Sequence, residues 1–226
     1  MCFSTTASFA SAAILIPAGL VCLNKARKLP KPYWAFALFP IIFGIQQALE
    51  GGVWWALNAN GDNTETLRLS ALGFLFFSHL FWLTWVPYSS YLTETILKRK
   101  SMFMLIALVG TVFGLSIFSP FILYPNWLTI SIINHAIEYQ TTLVYDSFLP
   151  KDAVTAVYLL IITIPLIGSC DRHQNILGGL IAVSMVVSLI FFNFAFISVW
   201  CYFAAVISLY IYYMIATKAV SEKSGF

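Results

Sequence analysis

Charge is what this sequence has least of. Only 9% of its 226 residues are Asp, Glu, Lys or Arg, against roughly a quarter in a soluble domain. Twelve basic and nine acidic residues leave a formal net charge of +3. That is too small and too scattered for a nucleic-acid surface, and there is no charge excess to solvate a disordered chain. Histidine is limited to His79, His135 and His173. The four cysteines contain no Cys-x-x-Cys pair, which argues against a thioredoxin-like or vitamin-K-reductase-like reaction. No basic residue precedes the first apolar run, so no cleavable signal peptide is expected and that run is expected to stay. Removal of the initiator Met would leave Cys2 with a free amine. Pro40, Pro87, Pro120 and Pro165 fall at unmatched places in their apolar runs, so an internally duplicated transporter is not indicated.

What is abundant is apolar. Hydrophobic residues make up 60% of the chain and aromatic residues 17%, with a mean hydropathy of +0.86. A spanning helix needs about 20 mainly apolar residues to cross roughly 30 Å of hydrocarbon. Seven stretches qualify: 8–24, 33–57, 67–92, 102–123, 152–169, 176–194 and 197–216. They are continuously apolar, without the in–out alternation of barrel strands. The expected fold is therefore an all-α membrane protein, a seven-transmembrane-helix bundle in which residues 1–226 make one membrane domain in contact with the lipid bilayer.

Basic residues orient it. Lys25, Arg27, Lys28, Lys31, Lys98, Arg99, Lys100, Arg172, Lys218 and Lys223 fall on one side of a seven-span chain, and only Arg68 and Lys151 on the other. The N-terminus is thus expected outside and the C-terminus in the cytoplasm. Removing one span would scramble the asymmetry. Residues 124–151 form a long outer segment that a loop of ordinary length would not need. Two readings stand for it: a hairpin pairing Thr129–Ile133 with Thr141–Tyr145, or an interfacial helix through 130–145. Either would cap the bundle.

The opening Met1-Cys2-Phe3-Ser4-Thr5-Thr6-Ala7-Ser8-Phe9 and the segment Phe43-Gly44-Ile45-Gln46-Gln47-Ala48-Leu49-Glu50-Gly51-Gly52-Val53-Trp54-Trp55 resemble an uncharacterised family of bacterial integral membrane proteins that begin Met-Cys-Phe-Ser. The resemblance runs through most of the chain and implies a bacterial inner membrane, with the outer side facing the periplasm. It carries no activity. Three better-known seven-span classes fail on their residues. Retinal proteins need a lysine in the seventh helix, and 197–216 has none. Hydrolases of the alkaline ceramidase kind need three zinc-binding histidines, but His173 is on the cytoplasmic side and no histidine pair lies near the last helix. The Pro-Gln signature of seven-span sugar transporters is absent.

An ionisable group at mid-membrane costs at least about 2.5–3.5 kcal/mol on insertion scales, so each one needs a reason. Glu50 lies seven residues before Leu57, roughly 10 Å below the outer boundary. Gln46 and Trp54 share its helical face, with Gln47 on the flank. Gly51 and Gly52 beside it permit close approach of another backbone. The bland role is interhelical hydrogen bonding by a protonated acid; the functional one is an acid at the floor of an outward-open pocket. His79 is expected near mid-depth, level with Gln46, in an aromatic wall of Phe76, Phe77, Phe81, Trp82 and Trp85. Placed near Glu50 it would give a proton-responsive pair. His135 and Glu138, three apart, meet on a helix but face opposite ways on a strand.

Cys2 and Cys201 are outer and could form a disulfide, whereas Cys22 and Cys170 lie near the cytoplasmic surface. Asn193 is expected to cap the sixth helix. Trp34, Trp127, Tyr158 and Tyr213 are expected in interfacial belts.

These residues suggest a pocket of Gln46, Gln47, Glu50, Trp54 and His79, with Glu50 and His79 as candidate catalytic groups. His79, Glu50, Cys2, His135 and Glu138 are candidate ligands for zinc or copper. The alternatives are an accessory subunit of a larger membrane complex, including a homo-oligomer, or a proton-coupled transporter or channel, for which a single deep acid is meagre.

Overall fold

The computed structural model describes residues 4–59, 61, 63–147 and 150–224. Seven helices follow one another: α1 (Thr5–Ala26), α2 (Lys31–Asn58), α3 (Thr64–Thr93), α4 (Leu97–Leu123), α5 (Lys151–Ile167), α6 (Arg172–Phe191) and α7 (Asn193–Val220). Six are long and apolar enough to cross a membrane. The exception is α5, whose 17 residues rise about 25 Å, just short of the hydrocarbon thickness. Each lies within a few residues of a stretch expected from hydropathy.

Each helix is split between a lipid-type face and a packing face. On α4, Leu105, Leu108, Val112 and Leu115 are exposed, while Phe103, Ala107, Gly110, Gly114 and Ile117 are buried. The buried set repeats every three or four residues, the period of one helical face. Gly110 and Gly114 lie directly on the α3 backbone: a Cβ on Gly110 would come within 2.2 Å of the Leu83 carbonyl oxygen, and one on Gly114 within 2.8 Å of that of His79. This Gly-x-x-x-Gly spacing lets two backbones meet, and a hydrogen bond between the Thr84 and Thr111 hydroxyls (2.9 Å) fastens the crossing.

The segment after α4 is a hairpin. Strand β1 (Leu128–Ile133) pairs antiparallel with β2 (Ala136–Thr141), from Leu128 opposite Thr141 to Ile133 opposite Ala136. The interfacial helix is therefore wrong, and the return strand begins five residues earlier than the expected Thr141. The reason is the turn. Asn134 and His135 both have positive φ, 48° and 60°, the two-residue turn whose twist matches a hairpin. Ala136, Ile137 and Tyr139 are buried, and the Tyr139 ring stacks on Phe74 of α3 (5.1 Å). The hairpin thus caps one end of the bundle.

The opposite end carries most of the basic residues and is tied by polar contacts. Glu94 accepts from the Thr95 and Ile96 N–H groups and from Cys170 N–H across the bundle. Arg99 donates to the Gly168 carbonyl, and Lys218 pairs with Asp171 at 2.8 Å. Burial raises the Glu94 carboxyl, but the Ile96 N–H, the Cys170 thiol and N–H and the Thr95 N–H outweigh it and hold it below its ordinary value.

Candidate functional site

Helix α2 carries the buried polar stripe. Gln46, Gln47 and Glu50 are all fully buried. Four residues per turn bring Gln46, Glu50 and Trp54 to one face, and that face meets α3 and α7. From α3, the Trp82 indole N–H donates to Gln46 Oε1 (2.7 Å). From α7, the Ser198 hydroxyl donates to Glu50 Oε1, and Gln47 Nε2 donates to Glu50 Oε2 (3.2 Å). The Cys201 thiol, one turn beyond Ser198, faces Gln46 and Glu50. Gln46 Nε2, Gln47 Oε1 and Trp54 Nε1 are buried without a hydrogen-bonded partner, an unusual concentration on a single helix face.

His79 sits apart from this stripe. Helix α3 makes a π-turn over Phe77–Phe81, a distortion frequent at functional sites. His79 Nδ1 is hydrogen-bonded to the Ser78 hydroxyl (2.8 Å), and its ring meets Phe121 edge-on (5.6 Å). The Ser78 carbonyl, released from regular α pairing, accepts from the Tyr158 hydroxyl of α5. The hydrogen bonds shown for His79 and for Glu50 run to different partners, Ser78 for the one and Ser198 and Gln47 for the other. Tyr158, expected in an interfacial belt, is instead the strut between α5 and α3.

His79 opens onto a cavity of about 640 Å³ beneath the hairpin. Its roof comes from β2 and the following residues, including Tyr139 and Thr142. Its sides come from the start of α5, with Lys151, Asp152 and Thr155, and from the start of α7, with Asn193 and Phe196. Its floor is Ser78, His79, Tyr158, Trp200 and Cys201. His79 is 8% exposed, and its second ring nitrogen carries no hydrogen bond among the described residues. Gln46, Gln47, Glu50 and Trp54 do not line this cavity; Cys201, on its floor, faces Gln46 and Glu50.

The geometry of the described residues does not support the metal expectation. Among the described residues no three His, Cys, Asp or Glu side chains converge on one point. His135 is at the hairpin tip, and Glu138 on β2 is engaged by Ser131 and Gln140 (3.2 and 3.1 Å). The strand separates two groups that a helix would have joined. Cys201 is a free, buried thiol, and the proposed disulfide partner, Cys2, lies outside the described residues. Asn193 opens a 3₁₀ turn and lines the cavity, since α6 already ends at Phe191.

The sequence reading missed Ser198, Ser78, Trp200 and the cavity role of Tyr158. Only the pair Ser198 and Cys201, three apart on an otherwise apolar helix, offered a signal.

The chain belongs to a family described as a family of unknown function (DUF6629), whose model matches residues 1–225. Comparison with curated proteins and with solved structures finds no match.

Proposed function

We propose that this chain is a seven-span protein of a bacterial inner membrane that binds a small ligand in an outward-facing pocket beneath its hairpin. The carrying observation is the cavity of about 640 Å³ floored by His79, a buried imidazole with a free ring nitrogen. Ligand sites are concave, mainly apolar and furnished with a few convergent polar groups, and this cavity has that character. The free imidazole nitrogen serves as a hydrogen-bond partner or proton acceptor for whatever enters. The network of Gln46, Gln47 and Glu50 lies behind the floor, where Glu50 accepts from Ser198 of α7 and the floor residue Cys201 faces Gln46 and Glu50.

The distribution of basic residues supports the orientation. The end tied by Glu94, Arg99 and Lys218 takes the cytoplasmic side and the hairpin takes the periplasm. This counts α5 as a span, and the hairpin that covers its outer end accommodates its shortness. The opening residues, with their resemblance to bacterial membrane proteins, support the inner membrane.

Cysteine labelling tests both halves of the reading. In a background with Cys2, Cys22, Cys170 and Cys201 replaced by Ser, Thr155→Cys and Asn193→Cys should react with a membrane-impermeant maleimide added outside spheroplasts. A compound that stabilises the protein in a thermal-shift screen should protect both positions. Reaction only from the cytoplasmic side would refute the orientation, and no reaction after permeabilisation would refute the open cavity.

A further inference from the structure

The walls of the cavity are polar in a particular way. Most of their hydrogen-bonding side chains are neutral, among them Asn126, Thr129, Gln140, Thr142, Thr155 and Asn193. They come from the turn before β1, from both strands, from the residue after β2, and from the starts of α5 and α7. The polar groups therefore ring the space instead of gathering on one wall. Amides and hydroxyls both donate and accept, so this ring suits a ligand whose own groups do both.

The charged groups on the walls are largely engaged. Glu138 accepts from Ser131 and Gln140 (3.2 and 3.1 Å). Lys151 donates to the Thr141 carbonyl (3.0 Å) and stands 4.0 Å from Asp146. Asp152 lies exposed in the first turn of α5, where the helix dipole favours a carboxylate. A strongly anionic ligand needs several convergent cationic donors, and Lys151 is the one such group on these walls.

Aromatic side chains supply the rest. Trp127 and Phe196 are half-buried and line the cavity. Phe196 stacks on Trp200 (5.5 Å), and Trp200 meets Tyr158 edge-on (5.3 Å), so these three rings brace one another. A wholly apolar ligand would strip water from the amides and hydroxyls and leave them unpaired, a cost at every group. A pyranose ring meets both demands. Its rim of hydroxyls pairs with the polar ring of the cavity, and its C–H face gains by leaving water against an aromatic side chain. A volume of about 640 Å³ falls among the cavities, about 300–1,000 Å³, that hold whole small molecules, and is ample for one or two sugar rings.

We propose that the cavity binds a neutral sugar, a mono- or disaccharide, with its hydroxyls on Gln140, Thr142, Asn193 and His79 and its ring face on Phe196. This rests on the pocket reading above and specifies the class of ligand.

Saturation-transfer NMR on the full chain in lipid nanodiscs tests it, since sugar-headed detergents would compete. The neutral probes are glucose, galactose, mannose, N-acetylglucosamine, maltose, lactose and trehalose. The contrasting probes are the 6-phosphates and 2-amino forms of the three hexoses, and uridine as a neutral stacking ligand without a pyranose. At least one neutral sugar should bind saturably, and the contrasting probes should each bind at least about fivefold more weakly than it, the worth of about one hydrogen bond. Thr142→Val and Asn193→Ala, which delete a hydroxyl and an amide, should each weaken that sugar about fivefold. Phe196→Leu, which removes the ring, should weaken it further. Val112→Phe, on the 69% exposed outer face of α4, should leave it unchanged. If a cavity variant fails to fold, the ranking of neutral over contrasting probes by the wild type decides alone. A panel in which no neutral sugar saturates, or in which a charged form or uridine binds as tightly as the best sugar, overturns the sugar site while the cavity reading stands. Failure of the cavity-labelling experiment would remove both.

Discussion

Replacing Glu50 separates the energetics of its network from its charge. The carboxylate is fully buried and accepts two bonds, one from Ser198 on α7 and one from Gln47 on its own helix. Glu50→Leu removes both acceptors. Hydrogen bonds between helices in membranes average about 0.6 kcal/mol and reach about 1.7, while a buried donor left without a partner costs about 1–3 kcal/mol. Ser198 can turn its hydroxyl to a carbonyl of its own helix, which keeps its share small. Gln47 has no such escape. The expected loss is about 2–3 kcal/mol, near the sum of one small and one full penalty.

Glu50→Gln should behave differently. The new amide oxygen accepts from Ser198, and its NH₂ group faces Gln47. Gln47 Oε1 is at present without a partner. A flip of the Gln47 amide therefore turns a donor–donor clash into a bond, and the loss should stay below about 1 kcal/mol. Reversible unfolding in mixed micelles of increasing SDS fraction measures both values. In the Glu50→Gln background, Gln47→Leu should cost more than in the wild type, because the flip then has no amide to use. A Glu50→Gln loss as large as that of Glu50→Leu would refute this argument, since Glu50 would then have to act as an ionised acceptor of both bonds.

Three further outcomes follow from single contacts. Glu94 has its carboxyl held below the ordinary value near 4.5, burial notwithstanding, by the Ile96 N–H, the Cys170 thiol and N–H and the Thr95 N–H. Its stabilising contribution is present above the unfolded-state value and is lost as pH falls through the lower folded-state value. The thermal midpoint should therefore drop below about pH 4.5 in the wild type and drop less steeply in Glu94→Gln. Gly110→Ala would drive a methyl into the Leu83 carbonyl and should cost about 1–3 kcal/mol, whereas Gly179→Ala meets nothing within 4 Å and should be neutral or slightly stabilising in the same unfolding assay. His135→Gly should slow amide exchange across β1 and β2, because glycine takes positive φ without cost, and His135→Val should speed it; equal rates would refute the turn assignment.

Most of the helical frame was legible because one physical rule dominates it. Backbone groups cannot go unpaired in hydrocarbon, so long apolar runs became helices within a few residues of their sequence limits. The burial of Gln46, Gln47 and Glu50 followed from the same cost argument. The hairpin was half legible. Its first strand followed from β-branched alternation, but its second required recognising Asn134-His135 as a tight turn, which His in place of Gly disguised. The helical distortion at His79 was not legible at all. Straight-helix geometry puts His79 level with Gln46 and takes no account of the π-turn at Phe77–Phe81, which adds a residue to one turn. No residue in Phe77-Ser78-His79-Leu80-Phe81 announces that insertion, since neither Pro nor Gly occurs there.

That distortion also accounts for why the cavity lies where it does. The Gly110 and Gly114 contacts hold α4 against α3 at Leu83 and His79–Leu80, on both sides of the π-turn's end. From the other side, Tyr158 of α5 meets the π-turn by donating to the Ser78 carbonyl. Residues of the hairpin, of the start of α5 and of the start of α7 close the cavity above this floor. Rigid elements carry every part of this floor, as a binding site requires. A small residue at Tyr158 would remove the strut without touching the hairpin, the glycine crossing or the Glu50 network. Tyr158→Phe keeps the ring against Trp200 and deletes only the hydroxyl. It should preserve the fold at a cost of about 1 kcal/mol while loosening the floor around His79. Faster hydrogen exchange confined to residues 77–81 and the first turns of α5, with α4 and α7 unchanged, is the expected signature. Exchange that rises evenly over all seven helices would instead make the hydroxyl a general packing contact and leave the π-turn without a role in shaping the cavity.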